Sequence, residues 1–261
     1  MQVDTRPTAA VDDGRLARLR RTNLGAAALH AVQATLIVAL ANDFALPVTG
    51  TYLAGPPGTV PADPVTLFDV PTGLACAAFL AVSAVFHVLV ATVFEDRYRR
   101  GLRDNHNFFR WTEYSISSSL MIVLIAQLTG ISDVAALLAL FGVNASMILF
   151  GWLQEKHHQP GDGGWTPFLF GCFAGVVPWL AILIYIVAPG STTGAEPPAF
   201  VYGIIVSLFL LFNVFAVVQW LQYRQVGRWR DYLVGERSYL TLSLVAKSAL
   251  AWQVFGGTLA S

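Results

Sequence analysis

The chain has 261 residues, of which 55% are hydrophobic and only 12% charged, and its mean hydropathy is +0.58. Soluble domains carry about 25% charged residues, so the composition sets this chain apart from them and points to a protein that crosses a membrane several times. The formal net charge is zero and by itself selects no partner; no nucleic-acid partner is expected.

Residues 1–22 are polar and contain Arg6, Arg15, Arg18, Arg20 and Arg21. They read as a short, partly ordered tail. The apolar segment that follows is too long for a cleavable signal, and no small-residue cleavage site comes after it. From there the chain holds seven apolar segments, at 23–43, 72–94, 110–130, 133–153, 167–188, 199–222 and 239–260. About 20 residues suffice to cross a hydrocarbon core of roughly 30 Å. Backbone groups in lipid must be satisfied within the segment, so each is expected to be a helix. The expected fold is therefore all-α: a bundle of seven transmembrane helices over 23–261, preceded by the tail.

The first connection, 44–71, is the longest and holds six prolines, from Pro47 to Pro71. It cannot be a helix, and Thr49 to Leu53 suit a short strand of an external hairpin. Spans 3 and 4 are joined by little more than Gly130-Ile131-Ser132, a tight helical hairpin. Pro178 inside span 5 can bend that helix or open a cavity beside it. Cys76 and Cys172 both fall in apolar segments with no metal-ligand neighbours, so neither a disulfide framework nor a metal site is expected.

Basic residues orient the chain. Five arginines precede span 1, and Arg97, Arg99, Arg100, Arg103 and Arg110 fill the second connection or its edge. Lys156 lies in the fourth, and Arg224, Arg228, Arg230 and Arg237 lie in the sixth. Fifteen of the sixteen basic residues thus share one side. The positive-inside rule makes that side cytoplasmic. The N-terminus is expected inside and the C-terminus, Ser261, outside.

The sixteenth basic residue is Lys247, in the middle of the last span. An ammonium within a bilayer costs several kcal/mol, so it needs a partner or a chemical task. Few other ionisable groups remain inside: His30, His87 and Glu113. Two readings are open. The pair can be a structural salt bridge between helices, although desolvation often exceeds the Coulombic gain. Alternatively the amine is used covalently, because lysine forms Schiff bases with carbonyl compounds. A protonated Schiff base still needs an anion, and Glu113 is the only carboxylate inside the spans rather than at their end residues. Ser117 lies one turn after Glu113, and Ser243 one turn before Lys247, each on the face of its charged neighbour. His30 and His87 sit in adjacent spans and can share a hydrated cavity. Met121, Trp179 and Phe215 lie deep enough to line an apolar pocket, and Asn144 must bond across helices or face a cavity.

Seven spans, a lysine in the seventh and a carboxylate in the third resemble the retinal-binding rhodopsins. The inside N-terminus narrows this, because pump rhodopsins and animal receptors place it outside; the chain resembles the heliorhodopsins, most of all their actinobacterial members. The runs that carry the resemblance are Arg-Trp-Thr-Glu-Tyr-Ser-Ile-Ser-Ser-Ser-Leu-Met-Ile-Val-Leu-Ile-Ala-Gln at 110–127 and Leu-Ser-Leu-Val-Ala-Lys-Ser-Ala-Leu-Ala-Trp-Gln at 242–253. Two further runs, at 41–47 and 141–155, agree with them.

The resemblance implies all-trans retinal on Lys247 as a protonated Schiff base, with Glu113 as counterion. It implies that Ser117 and Ser243 tune that group and that His30 and His87 belong to a polar network on its cytoplasmic side. It places Met121, Asn144, Phe215 and Gln222 near the chromophore, with Tyr114, Ser118, Ile148 and Trp179 completing the pocket. It also implies a homodimer in the lipid bilayer, with the long external loop contributing strands and intersubunit contacts. Proton pumps of the bacteriorhodopsin type carry a second carboxylate where this chain has Ser243, and a proton donor where it has Leu124. A vectorial proton path needs a chain of titratable groups. The expected activity is therefore light sensing without efficient pumping, not enzymatic catalysis, with a cytoplasmic signalling partner of unknown identity near the loop at 223–238. A light-driven or light-gated ion transporter is the alternative, and a retinal-free membrane protein with a structural Lys–Glu pair the second.

Overall fold

Apolar stretches in lipid close their backbone hydrogen bonds locally, as helices. In the computed structural model, which describes residues 12–187 and 196–259, this is the dominant pattern. In chain order the elements are α1 (Asp13–Leu40), β1 (Ala45–Gly50), β2 (Val65–Pro71), α2 (Thr72–Ala91), α3 (Glu95–Arg103), α4 (Phe108–Leu128), α5 (Val134–His157), α6 (Thr166–Val187), α7 (Ala199–Tyr223) and α8 (Tyr232–Val254). A 3-10 turn at Gly227–Arg230 precedes α8, and a π turn at Phe255–Leu259 follows it. Residues 1–11 of the expected tail, and Ser261, lie outside the described residues.

Helices α1, α2, α5, α6 and α7 are long and apolar enough to cross a membrane. Helices α4 and α8 are of similar length, 21 and 23 residues, but carry Arg110, Glu113, Glu236 and Lys247, all buried. The polar helices are shielded by the apolar ones. α1 packs on α2, α2 on α4, α4 on α5 and α5 on α6, while α7 packs on α8, which reaches α1 and α2. α6 and α7 approach where Trp179 meets Phe209 and Phe212 edge-on. Outward residues such as Leu169, Phe173 and Leu183 are exposed, an apolar surface that suits lipid.

Three expectations about the arginine-rich end need correction. Residues 13–22 are not tail: α1 starts at Asp13, where the side chain of Asp12 accepts the Arg15 backbone N–H at 2.8 Å. Arg15 pairs with Asp231 at 2.5 Å and Arg20 with Glu95 at 2.9 Å, while Leu16 and Leu19 are buried beside Tyr98, Leu102 and Leu233. The second connection is likewise not all loop. Helix α3 forms there because Tyr98 and Leu102, one turn apart, bury one face, with acids in its first turn and arginines in its last. The sixth connection is also shorter than expected, since α8 begins at Tyr232 under a cap in which Asp231 accepts the Leu233 N–H.

At the opposite end the expected hairpin is present, four residues earlier than read. β1 and β2 pair antiparallel, with an irregularity between Val48 and Thr49. Thr49 ties the hairpin to the α4–α5 turn through its N–H to the Ser132 carbonyl, 2.8 Å, and a hydroxyl contact to Ser132, 2.9 Å. That turn closes through Gly130 at φ +97°, a conformation that disfavours side chains.

If α3 is docked by packing rather than by its surface charges, Leu102→Ala should destabilise the protein by about 2–5 kcal/mol. Thermal unfolding in detergent checks this: Leu102→Ala lowers Tm, whereas Arg100→Ala, at an exposed position, leaves it within error.

Candidate functional site

Glu113 lies in the second turn of α4 and Lys247 near the centre of α8, and the bundle brings them together. Lys247 Nζ donates to Glu113 Oε1 at 2.7 Å and to Ser243 Oγ at 2.7 Å. Both charged side chains are about 95% or more buried. Glu113 Oε1 also accepts from Ser83 Oγ at 2.6 Å, which draws α2 into the site. The ring of Tyr114 lies 5.1 Å from the ammonium, within cation–π range. Breaking a buried pair by removing one partner costs about 3–5 kcal/mol, so these contacts are structurally as well as chemically committed.

From the lysine a cavity of about 720 Å³ extends between α4, α5, α6, α7 and α8. Its size lies within the usual range for small-molecule sites. Of the residues expected at a pocket, Tyr114, Ser117, Ser118, Met121, Ile148, Trp179, Phe215, Ser243 and Lys247 line it. Its walls are overwhelmingly apolar, and Lys247 is its only primary amine. An elongated apolar aldehyde fits this donor set: hydrocarbon walls for its body and one amine at the end for its carbonyl. Ser117 faces the cavity but bonds to neither charged group; its buried hydroxyl has no partner among the described residues.

The remaining expected residues lie elsewhere. Asn144 is in the wall behind the cavity, where its amide donates to Ser118 Oγ at 2.9 Å and Ser119 Oγ at 3.0 Å and so ties α5 to α4. Gln222 does not reach the cavity. It is seven residues beyond Phe215 on α7, about 10 Å along the axis at 1.5 Å per residue. Its side chain instead covers Gly235, where a Cβ would fall 1.8 Å from the Gln222 amide nitrogen. His30 and His87 come together as expected, with rings stacked 5.8 Å apart. Neither bonds to Lys247 or Glu113. His87 Nδ1 contacts Asn23 Oδ1 at 2.7 Å, and both nitrogens of His30 are without a partner among the described residues.

Several site residues escaped the sequence reading. Ser83 is the single serine of span 2 and stands one turn before His87, a signal that was there to be used. A second buried cluster lies at the arginine-rich end. Arg110, assigned to a loop edge, lies between Glu155 and Glu236, donating to Glu155 Oε1 at 2.7 Å and to Glu236 Oε2. All three side chains are buried. Glu155 and Glu236 were passed over because both fall outside the apolar segments as read.

Comparison with curated proteins returned no match. The model of the Heliorhodopsin family, by contrast, matches residues 19–259. That stretch takes in the lysine, its carboxylate and every wall of the cavity, and the chain belongs to the heliorhodopsin family.

Proposed function

We propose that this chain, a membrane protein and rhodopsin-type retinal photoreceptor by its family, senses light without pumping ions. The observation that carries the reading is the Lys247–Glu113 pair at the end of an apolar cavity. All-trans retinal, joined to Lys247 through a Schiff base, would supply the visible absorption and the light-driven isomerisation. The protein supplies the rest. Glu113 holds the positive charge at the Lys247 nitrogen, while Ser83 and Ser243 fix the carboxylate and the nitrogen in place. Met121, Phe215 and Trp179 exclude water and shape the space in which a bound chain can turn.

Absence of pumping follows from where the carboxylates are. Glu113, Glu155 and Glu236 are the buried acids among the described residues. Between Lys247 and the hairpin the core is Ile122, Leu124, Ile125, Leu250 and Val254, an apolar plug. A proton leaving Lys247 has buried carboxylates and imidazoles on one side only, which supports a closed cycle rather than net transfer.

The basic residues support placing the arginine-rich end in the cytoplasm, hence the N-terminus inside and the C-terminus outside. The hairpin would then face outward, and Val65, Leu67 and Phe68, exposed on β2, are the surface we assign to a homodimer. A cytoplasmic signalling partner would meet the arginine-bearing turn before α8.

Adding all-trans retinal to the purified protein should produce a visible absorption band that Lys247→Ala abolishes. No band, or one that survives in Lys247→Ala, would sink the retinal reading in favour of a structural ion pair. Glu113→Gln should move the band to the red and make it bleach toward the ultraviolet at lower pH, by about one to three pH units, because an opposite charge at this range favours the protonated nitrogen. An unchanged spectrum and titration would assign the counter-charge to another anion. Vesicles carrying the protein should show no light-driven pH change or current; robust transport would replace the sensor with an ion transporter.

A further inference from the structure

The buried charges do not balance. Among the described residues Lys247 and Arg110 are the buried lysine and arginine, against Glu113, Glu155 and Glu236. With the lysine, the arginine and the three carboxylates ionised and the histidines neutral, the interior of the described residues holds one carboxylate more than it has cations, and so has room for one more proton.

Glu155 is not where that proton goes. Its Oε1 accepts from Arg110 Nη2 and Tyr232 OH, both at 2.7 Å, and its Oε2 from the Asn107 N–H at 2.9 Å and Trp111 Nε1 at 2.5 Å. Four donors saturate it, and three of them cannot turn into acceptors. Glu236 has three donors. Tyr98 OH at 3.1 Å and Asn107 Nδ2 at 2.6 Å meet Oε1, and Arg110 alone meets Oε2. One lone pair on Oε2 is therefore open.

A small cavity of about 30 Å³ joins this carboxylate to the site. Glu113, His87, Asn23, Tyr98, Arg110 and Glu236 all border it. A water needs about 10–15 Å³ and two to four polar partners, so one or two waters can be held there. Two of the bordering groups, His87 Nε2 and Arg110 Nε, are buried nitrogens with no partner among the described residues.

We infer that Glu236 receives the proton given up by the Lys247 nitrogen, by way of Glu113 and water in this cavity. The inference rests on the photoreceptor reading above. An N–H bond at Lys247 breaks, an O–H bond at Glu236 Oε2 forms, and the reverse transfer restores the start. Before transfer the uncompensated anion is Glu236; afterwards it is Glu113. The interior charge moves without changing, so the proton is stored rather than released. The titratable and charged groups around Glu236 are Arg110 and Tyr114 from α4, Glu155 from α5, Tyr98 from α3, and Tyr232 and Tyr239 on its own helix, with Glu113 of α4 and His87 of α2 across the small cavity. Glu113 pairs with Lys247 and borders the same small cavity as Glu236, so the two sites respond to each other.

Infrared spectroscopy tests this in two arms. In the dark, retinal-free protein, acidification should bring up a carboxylic-acid C=O band that is lost in Glu236→Gln and displaced in Glu236→Asp. A titration unchanged in Glu236→Asp, or a Glu236 band already present at every pH, overturns the inference. In the retinal-loaded protein, illumination should produce the same band, again lost in Glu236→Gln and displaced in Glu236→Asp. A light-induced band unmoved by either substitution assigns the proton to another group and overturns it. Failure of the photoreceptor reading would show separately, as the lack of any visible band on adding retinal.

Discussion

Everything in this bundle is arranged around one ion pair that the bilayer would otherwise expel. A lysine and a glutamate, both nearly dry, are tolerable only if each finds further hydrogen bonds and if neither can drift from the other. Three helices meet that demand. Glu113 comes from α4, Lys247 and Ser243 from α8, and Ser83 from α2. The polar helices are thereby forced inward, and the apolar α1, α5, α6 and α7 are left to face lipid.

The pair also divides the interior. On its hairpin side the core is packed aliphatic side chains around Ile122, Ile125 and Leu250. On its arginine-rich side lie the stacked histidines, Asn23, Tyr98 and the Arg110 cluster. Toward α6 and α7 it opens on the large apolar cavity. One amine thus stands where an apolar ligand space, a hydrogen-bonded polar network and a dry plug meet. A charge change at that nitrogen is felt by the polar side and blocked by the apolar one, an arrangement suited to storing a proton rather than passing it through.

The arginine-rich end shows how loop-like sequence becomes structure. Arg15, Arg20, Arg99 and Arg103 fall in the tail and the second connection as read from the sequence, yet they pair with Asp231, Glu95 and Asp13 and pin α1, α3 and the start of α8 to one another. Exposed pairs of this kind contribute little each. The packing of Leu16, Leu19, Tyr98, Leu102 and Leu233 beneath them carries the stability. Local charge was visible in the chain, but the buried face beneath it depends on contacts distant in sequence.

Composition and periodicity were enough to determine the membrane-embedded helices, the segregation of basic residues and the identity of the central pair. They sufficed because a charge in an apolar run is conspicuous wherever it falls, and because Ser243 is tied to Lys247 by the helical repeat alone. The hairpin and the tight Gly130 turn were legible for the same reason, since proline and glycine act locally. Tertiary structure alone decided the rest. Ser83, Asn23 and Tyr98 are ordinary polar residues until three other helices bring carboxylates and imidazoles against them. Gln222 was displaced from the expected pocket by the simple rise of α7. Arg110, Glu155 and Glu236 are hydrophilic residues at segment ends, and only the convergence of α4, α5 and α8 turns them into a buried cluster.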